Sequence, residues 1–307
     1  MQNDYKQFSE DTKIDFYNHY FDNTDYIVFR YDAGSIATRK IIRDHIHTKQ
    51  GTVLEIGTGF STLLEDLPNF TKYGIDISEK NIEHMQRHFA RTGINATLCV
   101  ADAESLPFES NFFDVIVTSH TLEHIKNDRQ VLEECARVLK PGGELIIFVP
   151  GRIDGIATQE EWLRVGHYRM YNSTRFYELE EKLAGKLRLQ TICFPHKIHN
   201  LVWNKLKHVF RWANYPIKKW ILRDGKTYEA RITYQKILLP CIVGLLDFLD
   251  RFTMHSEKNF LGSEFNVLAR FEKPAPGNLS RTQHKTTNFS FHCFPYPRTS
   301  LCYTPNL

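Results

Sequence analysis

The stretch Val53-Leu54-Glu55-Ile56-Gly57-Thr58-Gly59-Phe60-Ser61 decides the fold of this chain. The apolar run at its start predicts a β-strand that ends at Gly57. Gly57 and Gly59 then predict a tight turn in which a ligand can approach the backbone, because glycine has no side chain. A short helix predicted over 61–67 would point its N-terminus at that ligand. A purely structural strand-to-helix turn has the same pattern, so the turn alone does not establish a ligand site.

Acidic residues stand at the ends of the next two predicted strands. Asp76 ends a strand over 72–75, and Asp102 follows a strand over 96–100. A carboxylate at position 76 can accept hydrogen bonds from both hydroxyls of a ribose, as in nicotinamide-binding folds. Asp102 is placed to reach an adenine amino group. With Glu55, acidic side chains follow three consecutive strands, which favours a nucleoside-containing ligand at this edge of the sheet.

Predicted strands and helices alternate along this half of the chain. The alternation, with strands that are near-continuous apolar runs, indicates a parallel, doubly wound sheet covered by helices on both faces. The remaining strands are predicted over 52–56, 113–118, 144–149, 187–194 and 265–272, the helices over 35–49 (capped by Ser35), 79–91, 128–139 and 175–185 (capped by Ser173 or Thr174), and a loop over 151–171.

Four segments resemble the class I S-adenosylmethionine-dependent methyltransferases, in particular the type-11 group. They are VLEIGTGFS (53–61), YGIDIS (73–78), VADAESLPFESNFFDVIVTSHTLEHI (100–125) and LEECARVLKPGGELIIFVP (132–150). The resemblance implies an α/β fold: a doubly wound, seven-stranded, mostly parallel, Rossmann-like sheet whose last two strands form an antiparallel hairpin. Ser61 replaces the third glycine of the family's glycine pattern. A nicotinamide-binding enzyme, the alternative, explains Gly57, Gly59 and Asp76 but not Asp102, the LEHI segment or the Lys-Pro-Gly-Gly turn.

The resemblance also implies S-adenosyl-L-methionine as cofactor and assigns residues to its parts. The methionine half lies against the first glycine turn, the ribose and adenine lie between the second and third strand ends, and the sulfonium faces the end of the fourth strand. The residues carried over are Glu55, Gly57 and Gly59 for the methionine half, Asp76 and Ile77 for the ribose and adenine face, Asp102 and Ala103 for the adenine edge, and Ser119 and His120 for the sulfonium end.

Histidines above the sulfonium are the candidates for a catalytic base. His167 is the first candidate and His124 the second, because an imidazole titrates near neutral pH and can deprotonate a hydroxyl. The LEH turn recurs in the family with many acceptors, which weakens the case for His124. No metal site is expected, although His120-x-x-Glu123-His124 with His167 offers side chains that suit a divalent ion and resembles a Glu-x-x-Glu-His cluster of some methyltransferases.

Charge and composition exclude several classes of protein. Hydrophobic residues make up 42% and aromatic residues 13% of the 307, which is ordinary for a globular chain and argues against wholesale disorder. The net charge of +3 does not indicate a nucleic-acid binder. The six cysteines form no Cys-x-x-Cys pair and are expected to be core side chains. With a polar N-terminus and no apolar run long enough to cross a bilayer, a reducing, cytoplasmic location is expected.

The chain divides into five predicted segments. Residues 1–34 form an N-terminal lid, 35–194 the cofactor-binding core, 195–262 a helical insertion between the last two strands, 263–273 the final strand, and 274–307 a tail expected to be disordered. Residues 195–234 carry nine Lys or Arg against two acidic residues, with three tryptophans interleaved. The insertion is therefore expected to form the acceptor pocket, or to contact an anionic membrane or a lipid-linked substrate through 200–252.

These features predict a cytoplasmic methyltransferase, peripheral at the membrane surface if 200–252 contacts a bilayer. Its acceptor is expected to be an oxygen of a small molecule, a glycan or a lipid-linked intermediate, with no nucleic acid as partner. A non-catalytic protein that binds the cofactor and acts as a scaffold or regulator through its basic insertion is the alternative.

Overall fold

The computed structural model describes residues 7–22, 33–59, 63–195 and 264–275. The described residues build seven strands and six α-helices, with three short 3-10 helices at Glu10–Thr12, Leu63–Asp66 and Leu122–His124. The strands are β1 Gly51–Ile56, β2 Phe70–Asp76, β3 Ala96–Val100, β4 Phe113–Ser119, β5 Leu139–Arg152, β6 Arg188–Cys193 and β7 Glu264–Glu272. The helices are α1 Lys13–Asp22, α2 Ala33–Asp44, α3 Glu79–Thr92, α4 Asp128–Val138, α5 Gln159–Val165 and α6 Ser173–Lys182.

The strands form one sheet in the order β3-β2-β1-β4-β5-β7-β6. The first five strands are parallel, and β7 runs antiparallel to both β5 and β6. The doubly wound, seven-stranded, mostly parallel sheet expected from the sequence is therefore confirmed, including the antiparallel last pair. The predicted insertion lies outside the described residues from residue 196 to 262, as does the tail from residue 276.

The core fills both faces of the sheet. Side chains alternate between the faces along a strand, so neighbours in β1 pack into different layers: Leu54 and Ile56 into one, Val53 into the other. All three are essentially inaccessible to solvent. Packing on both faces fixes the central strands, and this in turn positions the loops at their carboxyl ends.

Some predicted boundaries are wrong. Helix α2 starts at Ala33, so Ser35 lies inside it and does not cap it, and it ends at Asp44 rather than at 49. The early end has a cause: the backbone N–H groups of His47 and Thr48 donate to the carboxylate of Glu144 on β5, at 3.1 and 2.6 Å, which draws the chain out of the helix.

Three further boundaries differ from the sequence prediction. The predicted loop over 151–171 contains α5, which Thr158 starts with a capping box closed by Glu161. Helix α6 is capped by Asn172 instead of Ser173 or Thr174 and ends at Lys182. Strand β5 begins at Leu139 and continues through the Pro-Gly-Gly segment, whose backbone pairs with Lys273 beyond β7.

Two observations bear on the expected location. Among the described residues, no helix combines the length and the apolar character that crossing a membrane requires. Cys99 and Cys135 carry free thiols, as expected for core cysteines of a reduced protein. Cys193 is buried, as expected of a core side chain, but it is disulfide-bonded, so the expectation of a reduced thiol is wrong for this residue.

Candidate functional site

The glycine turn after β1 is bound to the end of β2. The backbone N–H groups of Gly57 and Thr58 both donate to the carbonyl of Ile75, at 2.8 and 3.0 Å. Gly57 has a φ of +72°, and a Cβ there would overlap the side chain of Thr121. A residue with a side chain would therefore be strained and would clash, which explains the glycine at this position.

Asp76 ends β2 beside this turn and is held by several donors. Its Oδ2 accepts from the Gly59 N–H and from Asn81 Nδ2, and its Oδ1 accepts from the Ser78 N–H, all at 2.9 Å. Burial raises the pKa of the carboxyl, and the bonds from Ser78, Gly59 and Asn81 partly offset that rise. The carboxylate is thus fixed in orientation, and its predicted role toward a ribose stays a prediction.

The other residues predicted for the cofactor lie along the same edge of the sheet. Glu55 is fully buried in β1, beside Gly74 of β2 and Val117 of β4 in the strand register. Ile77 is half-buried directly after Asp76. The loop after β3 is tied to β2 by a 3.0 Å bond from the Ala101 N–H to the Asp76 carbonyl.

Within that loop after β3, the two predicted adenine-edge residues differ in exposure. Asp102 is exposed, and its Oδ1 accepts from the Glu104 N–H at 2.9 Å, whereas Ala103 is buried. The structure therefore brings together the strand ends that the sequence singled out, with one carboxylate buried in a network and the other open to solvent.

Ser119 and His120 follow β4 at the middle of this edge. His120 has a φ of +51°, unusual for a residue with a side chain, and its N–H donates to the Phe148 carbonyl of β5 at 2.8 Å. Its imidazole is about half exposed and lies 5.3 Å from the Phe148 ring, centroid to centroid. Backbone strain held by neighbouring strands is typical of functional sites.

Three polar side chains gather next to His120. Glu123 is 1% exposed, and its Oε1 lies 3.6 Å from His120 Nδ1 and 3.8 Å from His124 Nε2. The rings of His124 and His167 are 4.7 Å apart, because the Tyr168 N–H donates to the Glu123 carbonyl and draws the later segment in. One ligand atom each of Glu123, His124 and His167 lies within 4.8 Å of the others.

Burial sets the protonation of this cluster. Desolvation lowers the pKa of His167 to about 4, with the nearby His124 adding to the shift, so His167 is neutral at pH 7. Desolvation likewise lowers the pKa of His124. For Glu123 burial favours the neutral form, but the interaction of its carboxylate with His120, 3.6 Å away, outweighs burial and lowers the pKa. The cluster thus pairs a buried carboxylate with neutral imidazoles that can accept a proton.

The sequence predicted an N-terminal lid over 1–34 but not the contacts that this segment makes. Tyr17 of α1 packs its ring edge against His124, at 5.9 Å between centroids, and Asn18 accepts a 2.7 Å bond from the Ser78 hydroxyl. Phe8 is buried against Trp162 of α5. These contacts join residues more than fifty positions apart, so no local sequence pattern could have revealed them.

Comparisons with known proteins agree with this architecture. The family model described as "Methyltransferase domain" matches residues 54–147. A ubiquinone biosynthesis O-methyltransferase of Caulobacter vibrioides is 40% identical over 101 residues, which cover 32% of this chain and 39% of that protein. The phosphoethanolamine N-methyltransferase 2 of Haemonchus contortus, solved with S-adenosyl-L-methionine, superimposes with a TM-score of 0.56 at 16% identity, covering 84% and 60% of the two chains.

The resemblance read from the sequence is thereby confirmed at the level of domain and fold. Residues 54–147 match the methyltransferase domain model, and the fold is that of the class I methyltransferases. The fold also occurs outside methyl transfer: the [4+2]-cyclase SpnF superimposes with a TM-score of 0.51 at 15% identity over 78% of this chain and 81% of that one. The chain covers 30% to 56% of the length of four curated relatives that it matches.

Proposed function

We propose that this protein is an enzyme that transfers a methyl group from S-adenosyl-L-methionine. The main supporting observation is that the 57–59 turn is hydrogen-bonded to the end of β2, including Asp76. The amino-acid and ribose parts of the cofactor would meet at this place. The matched methyltransferase domain supports the same conclusion. Bound there, the cofactor would supply a methyl group on a sulfonium, an electrophile that needs only an aligned and desolvated acceptor.

The polar cluster at the end of β4 is proposed as the acceptor side. His167, and after it His124, would take the proton of an acceptor hydroxyl while its oxygen attacks the methyl group and the carbon–sulfur bond breaks. Both imidazoles are unprotonated at pH 7 because burial lowers their pKa, which also makes them weak bases, and the carboxylate of Glu123 beside them would stabilise the protonated form. Ser119 and His120 would line the sulfonium end beside them.

A first experiment tests the cofactor site by calorimetric titration with S-adenosyl-L-methionine. Asp76→Ala should weaken binding by about a hundredfold, since it removes a buried carboxylate that charge-assisted bonds hold in place. Asp114→Ala is the matched control, because Asp114 is also hydrogen-bonded, by Thr52 and Lys140, but at the opposite end of the sheet. Equal affinity of Asp76→Ala and wild type would refute the proposed pocket.

A second experiment tests the base. His167→Ala should lower kcat by a factor of about 10² to 10⁴ while cofactor affinity is kept.

The acceptor is found first, by incubating the protein with labelled cofactor and fractionated cell extract and identifying the labelled product by mass spectrometry. A product labelled on oxygen would support the proposed O-methylation of a small molecule, a glycan or a lipid-linked intermediate. A product labelled on nitrogen or carbon would contradict it.

The same cluster supports a second proposal, a divalent metal ion bound by Glu123, His124 and His167. The observation that favours it is the approach of their ligand atoms to within 4.8 Å, with Oε2 of the buried Glu123 lacking a hydrogen-bond partner among the described residues. Loss of activity on chelation and recovery with a divalent ion would support a metal. Full activity in the presence of chelator would leave the histidines as bases.

Contact with a membrane is a separate proposal that rests on the sequence of 200–252. Its basic and tryptophan-rich composition suits an anionic bilayer or a lipid-linked acceptor met by a cytoplasmic, peripheral protein. Flotation with anionic liposomes at low salt, lost at high salt, would support it. Failure to float at either salt concentration would refute it.

The alternative function is a scaffold that binds the cofactor without turnover. The occurrence of this fold in a [4+2]-cyclase shows why methyl transfer must be tested rather than assumed from architecture. Tight cofactor binding without formation of S-adenosylhomocysteine across all extract fractions would favour the scaffold.

A further inference from the structure

Asn81 lies in the first turn of α3 and is completely buried. Its Nδ2 donates to Asp76 Oδ2 at 2.9 Å and to Thr58 Oγ1 at 3.0 Å. One side-chain amide therefore joins the carboxylate at the end of β2 to the glycine turn after β1. These are the two features on which the proposed cofactor site depends.

The helix itself does not require an asparagine here. Ser78 already caps α3, since its hydroxyl accepts the Asn81 N–H at 3.2 Å, and asparagine is a weaker helix former than alanine or leucine. The orientation of the amide is also determined, because Asp76 Oδ2 accepts from the Gly59 N–H and is therefore an acceptor that the NH₂ group must face. The residue fits a role toward Asp76 and Thr58 better than a role in the helix.

The bonds divide the two oxygens of Asp76 between different tasks. Oδ2 accepts from both Gly59 and Asn81, whereas Oδ1 accepts from the Ser78 N–H. The Ile77 N–H also donates a hydrogen bond to this carboxylate. Fixing Oδ2 by two donors prevents the carboxylate from rotating and keeps Oδ1 in one place.

We propose that Asn81 is a positioning residue of the cofactor site: it locks Asp76 and the 57–59 turn together so that the Asp76 carboxylate is presented to a ribose hydroxyl. This inference rests on the proposed cofactor. It assigns to a buried helix residue a part of the binding energy that the motif residues alone would not supply.

The decisive variant is Asn81→Asp, which keeps the shape of the side chain and replaces the donor by a second carboxylate. Burial raises the pKa of Asp76, and a second carboxylate beside it favours a shared proton, so affinity for S-adenosylhomocysteine relative to wild type is followed up to pH 9 and should fall by about tenfold or more as that proton is lost. At pH 5.5 one shared proton restores a donor between the two carboxylates, so the ratio to wild type should recover. Asn81→Ala should lose affinity by a similar factor at both pH values.

Ile82→Ala is the matched control, because Ile82 is the buried neighbour of Asn81 on α3 and has no part in the network. It should lower the melting temperature and leave affinity unchanged, with folding of all variants verified by circular dichroism. Wild-type affinity in Asn81→Ala, or a loss in Asn81→Asp that does not recover at pH 5.5, would overturn the role of Asn81. Absence of binding by the wild-type protein would instead overturn the proposed function.

Discussion

Gly57 is needed both for the turn after β1 and for the proposed cofactor site. Gly57→Ala should destabilise the protein by roughly 2–5 kcal/mol, because it combines a left-handed backbone with an overlap against Thr121. Cofactor binding should be lost with it, since relief of the overlap moves the turn. Denaturant unfolding and calorimetric titration measure the two effects.

Gly93 provides the control for that substitution. It has nearly the same φ, +71°, but a Cβ there would meet no atom within 4 Å. Gly93→Ala should therefore destabilise the protein by only about 1 kcal/mol, the cost of a left-handed backbone for alanine, and leave cofactor affinity as in wild type. Equal losses in the two variants would show that the contact with Thr121 is unimportant.

His45 predicts a pH dependence of stability away from the candidate site. Burial lowers its pKa below the ordinary 6.5, and the bond from its Nδ1 to the Ile41 carbonyl opposes this shift only in part. Between the lowered pKa and 6.5, the unfolded chain binds the proton more readily than the folded one. The contribution of His45 to stability is thus complete above pH 6.5 and is lost as the pH falls toward the folded-state pKa.

The measurement compares the free energy of unfolding of wild type and His45→Gln at pH 7.5 and 5.5. The advantage of wild type over the variant should shrink at the lower pH, by at most about 1.4 kcal/mol, because the interval below 6.5 spans one pH unit. An advantage that is the same at both pH values would contradict the shift.

At the scale of elements, α5 shows how a helix can be concealed in a sequence. Residues 151–171 contain glycines and aromatic residues that indicate a loop, and a helix of seven residues is too short for its apolar spacing to stand out. The capping box of Thr158 and Glu161 was the available local signal. The long strands, by contrast, were predictable because buried parallel strands require continuous apolar runs.

Removal of that cap should loosen the element. Thr158→Ala should cost about 1 kcal/mol, since the side chain accepts the Glu161 N–H at the start of α5. Hydrogen exchange of residues 159–165 should increase accordingly. Thr92→Ala is the control: Thr92 bonds back to the His88 carbonyl within α3, and its loss should leave stability within about 0.5 kcal/mol. Exchange of α5 that is unchanged in Thr158→Ala would contradict the role of the cap.

At the scale of the whole molecule, features that depend on residues close in sequence could be predicted, and features that depend on contacts between distant segments could not. Glu55 and Gly57 at the end of β1 and Asp76 at the end of β2 could be placed at one edge from the sequence, because the carboxyl ends of parallel strands lie together. Asn81 and Tyr17 were not found, because their importance comes from partners in other elements. A sequence motif identifies the residues at the end of a strand. The side chains that hold those residues in place come from other elements, and they depend on how distant segments pack.

The N-terminal segment is where this long-range packing can be tested. Helix α1 contacts both sides of the proposed site, through Asn18 at Ser78 and Tyr17 at His124, and Phe16 helps to anchor it against Phe8. Phe16 is 4% exposed, so Phe16→Ala should remove about 3–5 kcal/mol of packing, enough to release the segment without unfolding the sheet.

Hydrogen exchange of residues 13–22 should then rise by a factor of about a hundred or more, while exchange in β1 and β4 stays as in wild type. Ile14→Ala is the control on the same helix, since Ile14 is half exposed and its truncation should change exchange little. If both variants left α1 equally protected, the segment would be held by something other than its aromatic contacts. If Phe16→Ala raised exchange in the central strands as well, the N-terminal segment would be an integral part of the fold rather than a lid over it.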